Sequence, residues 1–161
     1  MSNFNFEFLV DRQDAIPQVA KWYFEEWGYN VPGNSIQKSI DRIAGKVNRE
    51  HPPLHILAME DQKVLGVAQL KLHEMDIYSE REFWLGGLFV TPNFRGKGIG
   101  SALANKIATI AADFGVKELY LQTEALDGGL YQQLGWQPIE TVEYKGVNVT
   151  VMVRNLRDRI D

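Results

Sequence analysis

The sequence predicts a single α/β (α+β) domain, in which about four helices flank a mixed, mostly antiparallel sheet of about seven strands. A length of 161 residues, with 45% hydrophobic and 24% charged residues, is typical of one globular domain. Segments with apolar residues at alternate positions are interspersed with segments whose apolar residues recur every three or four positions. No repeat, low-complexity stretch or linker interrupts this order, so residues 1–161 are expected to form one domain.

The N-terminal third is predicted to contain one strand and two helices. Asn5 to Val10 alternates weakly, as a strand does, and Asp14 to Trp27 has helical spacing with Pro17 in its first turn. Asp14 is the predicted cap of this helix, and Asn34 is the predicted cap of the next one. The second helix has its apolar residues on one face: Ile36, Ile40, Ile43 and Val47.

The middle of the chain is predicted to form three strands. Leu54 to Met59 and Lys63 to Leu72 are joined by a short polar turn, so they are expected to form a hairpin. Phe83 to Thr91 is apolar at nearly every position, which predicts a central strand that is buried on both faces.

The last third is predicted to alternate between helices and strands. Gly98 to Phe114 has a long apolar stripe and predicts a helix, and Lys117 to Thr123 predicts a second buried strand. Gly129 to Leu134 is long enough for only a short helix. Val142 to Tyr144 and Val147 to Val153 are predicted to close the fold as a hairpin.

The composition excludes several kinds of site. The chain has 17 basic and 21 acidic residues, a net charge of −4, and no run of Lys or Arg, so no nucleic-acid partner is expected. Cysteine is absent, and His51, His55 and His73 lack metal-ligand spacing, so no metal is expected. The sequence has no signal-peptide pattern and no run of about 18 apolar residues, which predicts a cytoplasmic protein without a membrane partner.

The segment from Leu88 to Ser101 is predicted to be a strand, a glycine-rich turn and the start of a helix. The first N–H groups of a helix lack intrahelical partners and favour an anion, and Arg95 and Lys97 add positive charge there. Ser101 can add a hydroxyl. Three glycines in the turn allow diphosphate oxygens to approach the backbone: Gly96, Gly98 and Gly100.

Two common phosphate-binding motifs fit this turn poorly. The dinucleotide fingerprint requires Gly-x-Gly-x-x-Gly, but the third glycine comes one residue too early here. The Gly-Lys-Ser/Thr ending of the P-loop is also missing. A nucleotide-binding α/β domain of another kind therefore remains only an alternative.

The turn resembles the coenzyme A motif of the GNAT superfamily of N-acetyltransferases, Arg/Gln-x-x-Gly-x-Gly/Ala. Arg95, Gly98 and Gly100 match this motif, and the apolar stretch from Leu88 to Pro92 resembles the strand that precedes it. The segment from Gly129 to Trp136 is similar to a second family segment, Leu-Tyr-x-x-Leu-Gly-Phe/Tyr/Trp. Because the two motifs occur in the family's order, the resemblance is specific.

The resemblance implies an acetyl-CoA-dependent enzyme with direct transfer to an amine in a ternary complex. Backbone groups of the central strand would bind the pantetheine arm, and Gly86-Gly87 is consistent with a bulge just before them. Tyr131 matches the tyrosine near the coenzyme sulfur and is the predicted general acid. The predicted coenzyme A-binding residues are Leu88, Phe89, Val90, Arg95, Gly96, Lys97, Gly98, Ile99, Gly100, Ser101 and Tyr131.

The general base and the acceptor stay open at this point. Glu82 and Glu124, at the ends of the two predicted central strands, are both candidates for the base. The expected acceptor is a primary amine of a small molecule or a peptide amino group, and a homodimer is also considered. An alternative is a non-catalytic acyl-CoA-binding or sensor domain, because no base is obvious.

Overall fold

A computed structural model describes residues 3–156, which form a seven-stranded sheet and four α-helices. The strands lie in the order β1-β2-β3-β4-β5-β7-β6, and every neighbouring pair is antiparallel except β4 and β5. The predicted fold class is therefore confirmed. The elements are β1 (Asn5–Phe8), α1 (Ile16–Glu26), α2 (Ile36–Ala44), β2 (Leu54–Glu60), β3 (Lys63–Leu72), β4 (Phe83–Val90), α3 (Ile99–Asp113), β5 (Glu118–Thr123), α4 (Gly129–Gln133), β6 (Gln137–Tyr144) and β7 (Val147–Asn155).

The prediction that Asp14 caps the first helix is wrong. Residues Gln13–Ala15 form a 3-10 turn, and α1 begins after it at Ile16 without a side-chain cap. Ala15 occupies the cap position, so Asp14 lies one residue too early to accept from the first N–H groups of the helix.

The prediction that Asn34 caps the second helix is wrong by one residue. Ser35 is the cap, since its hydroxyl accepts a hydrogen bond of 3.0 Å from the backbone N–H of Lys38. The Asn34 side chain instead donates to the carbonyl of Gly28, 3.1 Å away. Asn34 thus fixes the connection between α1 and α2.

The two faces of the sheet are covered differently. Helix α3 packs along one face, against buried side chains such as Ile56, Ala68 and Leu119. Helices α1 and α2 cover the other face mainly over β2 and β3, where Leu57 and Val67 contact them, and α1 also reaches Phe89 of β4. Over Trp84 and strand β7 the same face is covered by the segment after β3, through Met75 and Tyr78.

Strands β4 and β5 separate soon after they meet. They pair only between Trp84 and Tyr120, and β4 bulges where Gly87 and Leu88 oppose the single residue Ala68 of β3. The bulge expected at Gly86-Gly87 is confirmed, and Gly87 adopts a φ of +56° that favours glycine.

This separation corrects one prediction for the central strand. Trp84 and Leu85 are buried, but the rest of β4, residues 86–90, is only half-buried. The predicted burial on both faces is therefore wrong for the second half of the strand. Because β5 diverges there, one edge of β4 faces a gap between the two strands.

The closing hairpin is longer than predicted. Strand β6 begins at Gln137 rather than at Val142. The sequence does not indicate its first residues as a strand, because they are exposed and show no apolar alternation. As the edge strand it tolerates Pro138, which cannot donate a ladder hydrogen bond. Between residues 3 and 156, no helix is long and apolar enough to cross a membrane.

Candidate functional site

The glycine-rich turn forms an open concave surface at the start of α3. Gly98 is the residue before the helix, with a φ of +85°, and Gly96 has a φ of +77°. A Cβ atom at either position would meet no atom within 4 Å, and one at Gly100 would make only ordinary contact with Leu130. The helix has no side-chain cap, so its first N–H groups are directed at this open space. These features fit a diphosphate.

Positive charge lies beside the turn, and one of its side chains ties it to the sheet. The Nε of Arg95 donates to the carbonyl of Val90 at 2.7 Å, and its guanidinium lies 5.2 Å from the ring of Phe89. The ammonium of Lys97 lies 5.8 Å from the ring of Phe94. The turn is thus held against the end of β4, next to the gap between the strands.

Tyr131 lies on α4, close to the same gap. Its ring packs edge-on against Trp136, with centroids 6.1 Å apart. Burial raises the pKa of Tyr131 to about 12, so the hydroxyl is protonated at neutral pH and can donate a proton or a hydrogen bond.

A cavity of about 1000 Å³ lies on this second face of the sheet, beside α1. Helices α1 and α2 form one side, and the segment of residues 73–74 and the β6-β7 hairpin form the other. Tyr23 of α1 and Tyr131 of α4 both line it, although these helices lie on opposite faces of the sheet. The cavity therefore extends into the gap between β4 and β5.

The structure brings only some of the predicted residues to this cavity. Leu88, Tyr131 and Glu124 line it. Glu82 is exposed and is not part of its lining. The turn from Arg95 to Ser101 lies beyond the cavity, at the far end of β4, so the gap joins two separate regions.

A polar cluster that the sequence analysis missed forms the floor of the cavity. Gln69 of β3 pairs across the strands with His55 of β2, and both face α1 rather than solvent. The hydroxyl of Tyr23 receives a hydrogen bond from Gln69 and donates to the carbonyl of Gly87 at 2.7 Å. Tyr23 thus fixes the bulge from the side opposite α3, and burial raises its pKa.

A carboxylate and two partners complete the cluster. Glu74 accepts a hydrogen bond of 2.7 Å from the side-chain amide of Gln122 and forms an ion pair with Lys71. The polar residues of β3 alternate with Ala68 and Leu70, a pattern that is typical of a solvent-facing side. These polar side chains face α1 and the cavity instead of solvent, and the alternation in the sequence cannot reveal this.

His55 is the most deeply buried titratable group of the cluster. It is 2% exposed, and neither ring nitrogen has a hydrogen-bond partner among the described residues. Burial, together with the charges of Lys71 and Lys46, lowers its pKa to about 3, so the ring is neutral at physiological pH.

We expect His55 to make the protein less stable in acid. In an unfolded chain its pKa is about 6.5, so between that value and about 3 only the unfolded state binds the proton. The free energy of unfolding should fall by about 2 kcal/mol between pH 7 and pH 5 for this reason, since one pH unit corresponds to about 1.4 kcal/mol. The free energy of unfolding of His55→Gln, measured with urea at both pH values, should not show this decrease. His51→Gln, at an exposed histidine, should keep it, and equal pH dependence of H55Q and the wild type would contradict the prediction.

Comparisons with known proteins agree with this architecture. The model of the acetyltransferase (GNAT) family matches residues 16–136. The thialysine N-epsilon-acetyltransferase of Bos taurus is 37% identical over an alignment of 128 residues, which covers 71% of this chain and 74% of that protein. The N-acetyltransferase CT2212 of Chlorobaculum tepidum, which is uncharacterized, is 26% identical over 70% of this chain and 65% of its own.

Solved structures show the same fold. An aminoglycoside 6'-N-acetyltransferase complexed with coenzyme A has a TM-score of 0.75 at 17% identity, with 98% of this chain and 99% of that chain covered. A chimera of spermidine N-acetyltransferase SpeG from Vibrio cholerae and hSSAT has a TM-score of 0.74 at 14% identity, with 97% of each chain covered.

The fold is that of an acyl-group transferase. The chain belongs to the GNAT family of acetyltransferases, as the match over most of its length shows. The resemblance seen in the two sequence motifs and the predicted class of enzyme, an N-acetyltransferase, are thereby confirmed.

Proposed function

We propose that the protein transfers the acetyl group of acetyl-CoA directly to a primary amine bound in the same complex. The observation that carries the proposal is that the open turn before α3 and the large cavity both border the gap between β4 and β5. A donor seated on the turn reaches the cavity through this gap, where an acceptor can attack it. The coenzyme A complex of a structural neighbour supports the choice of donor.

The proposed role of each residue depends on where it lies along the gap between β4 and β5. N–H groups from Arg95 to Ser101 bind the diphosphate, with the side chains of Arg95 and Lys97 adding charge. Backbone groups of Leu88, Phe89 and Val90 bind the pantetheine arm, because β5 has already diverged from this part of β4. Tyr131 protonates the departing thiolate.

The charges of the cavity favour an acceptor that carries a carboxylate as well as an amine. Exposed Arg42, Lys46 and Lys145 line it, whereas Glu26 and Glu124 are its carboxylates apart from the Glu74–Lys71 pair. A polycation such as spermidine would meet this excess of positive charge. A lysine-like amino acid matches it, and the bovine relative is named for thialysine, which is such an amino acid.

The acceptor class can be tested with compounds that differ by one group. Release of coenzyme A thiol from acetyl-CoA is measured with lysine, with thialysine and with cadaverine, which is lysine without its carboxylate. We expect kcat/KM at least about tenfold higher for the two amino acids, the size of one charge-assisted hydrogen bond. Equal or faster turnover of cadaverine or spermidine would exclude the carboxylate requirement.

The proposal of acetyl transfer, whatever the acceptor, is tested separately. If acetyl-CoA binds but no amine, amino acid or peptide releases coenzyme A, transfer is refuted and the sensor alternative remains. Stabilisation by ATP or NAD in preference to coenzyme A, measured by thermal shift, would instead favour the nucleotide-binding alternative. A homodimer, a cytoplasmic location, the lack of a metal and the extent of the domain over residues 1–161 stay predictions.

A further inference from the structure

Glu74 lies at the point where β4 and β5 separate, on the cavity side of the sheet. Gln122 of β5 holds one of its oxygens at 2.7 Å, and Lys71 of β3 forms an ion pair with the other. The Glu74 side chain is only 17% exposed. These contacts hold the carboxylate in one place within the cavity lining.

A glycine on β4 makes room for this carboxylate. A Cβ atom at Gly86 would lie 3.4 Å from Oε1 of Glu74 and 2.6 Å from Cδ of Lys71. The side chains of Lys71 and Glu74 therefore occupy the space that any side chain at position 86 would need. Since Gly86 directly precedes the bulge, Glu74 is placed over the strand proposed to bind the pantetheine arm.

The other two carboxylates considered for the base are placed less favourably. Glu82 is exposed and does not line the cavity, and Glu124 is exposed beyond the end of β5. We infer that Glu74 is the general base that removes a proton from the ammonium group of the acceptor. The inference deepens the proposed acetyl transfer and rests on it.

The proposed step is balanced in protons and bonds. An amine with a pKa of about 10 arrives as an ammonium ion, and Glu74 takes one proton from it, directly or through one water. The freed lone pair forms the N–C bond as the C–S bond breaks. The thiolate receives a proton from Tyr131, which regains one from the attacking nitrogen, and Glu74 returns its proton to solvent. The products are the amide, coenzyme A thiol and one released proton.

Replacement of Glu74 by Gln tests the inference through the pH profile. With acetyl-CoA and lysine, we expect kcat/KM of E74Q to be about 10²-fold lower at about pH 7, the size of a general-base contribution. The deficit should shrink to less than about tenfold near pH 10, because a growing fraction of the amine is already neutral. Hydroxylamine, an acceptor that is neutral at pH 7.5, should react with E74Q and the wild type at similar rates.

Matched variants separate catalysis from structure. Glu143→Gln removes an exposed carboxylate of β6 outside the cavity lining and should keep the wild-type profile. Glu74→Asp keeps a carboxylate but withdraws it by one methylene, so it should show an intermediate rate with the wild-type pH dependence. Thermal midpoints with and without coenzyme A show whether each variant is folded and binds the donor.

The outcomes distinguish this inference from the proposed function. If the wild type acetylates lysine, or another acceptor from the same panel, and E74Q loses less than about threefold, Glu74 is not the base. A deficit that is equal at all pH values and for hydroxylamine would likewise overturn the inference. If the wild type acetylates none of the acceptors, the proposed function itself fails, and this inference fails with it.

Discussion

Replacing Tyr131 by Phe is expected to lower kcat about 10³-fold while the Kd for acetyl-CoA changes by less than about threefold. The change removes a hydroxyl and little volume, so the contact with Trp136 is kept. Without the Tyr131 hydroxyl as proton donor, the thiolate must leave unprotonated in a region where burial disfavours charge. An effect on kcat rather than on binding is what a group acting only in the transition state produces.

The measurement combines steady-state kinetics with titration of acetyl-CoA by calorimetry. Tyr29→Phe is the control, because Tyr29 is 58% exposed and lies outside the cavity lining. Because burial raises the pKa of Tyr131 to about 12, the wild type should show no loss of activity from this group up to about pH 10. Wild-type turnover by Y131F would mean that another group or water protonates the sulfur.

Most of the fold could be predicted from the sequence because its elements have strong local patterns. The predicted bounds of β3 agree with the structure, and the long stripe of α3 and the apolar run of β4 are each within a residue or two. Strand β6 was mostly missed because an exposed edge strand needs no apolar face. The cap of α2 could not be predicted because Asn34 and Ser35 are adjacent and both suit the role, so only backbone geometry decides between them. The prediction for α1 failed because its cap position is Ala15, which has no capping side chain.

The candidate site likewise contains residues that the sequence reveals and residues that it does not. The turn before α3 and Tyr131 belong to contiguous motifs, so their residues could be named from the sequence alone. Glu74, Tyr23 and His55 could not, because they come from separate parts of the chain, namely the segment after β3, α1 and β2, and meet only in the folded cavity. Polar residues at alternate positions of β3 look solvent-facing, and the sequence does not indicate that a cavity lies there.

The open turn itself can be tested with two glycines that share one conformation. Gly98, before α3, has a φ of +85°, and Gly115, just after it, has a φ of +87°. A Cβ atom would meet no atom within 4 Å at either position. Alanine at each should therefore destabilise the protein by a similar amount, about 1–2 kcal/mol, because both sites require the left-handed conformation.

Only Gly98→Ala is expected to impair donor binding. Its methyl group would occupy the surface proposed for the diphosphate and weaken charge-assisted hydrogen bonds worth about 1.5–3 kcal/mol each, so the Kd for acetyl-CoA should rise roughly 200-fold. Gly115→Ala reproduces the backbone strain at the opposite end of the helix and should leave this Kd unchanged. Equal loss of affinity in both variants would mean that strain in α3, rather than occupation of the turn, weakens binding, and the diphosphate would then have to be placed elsewhere.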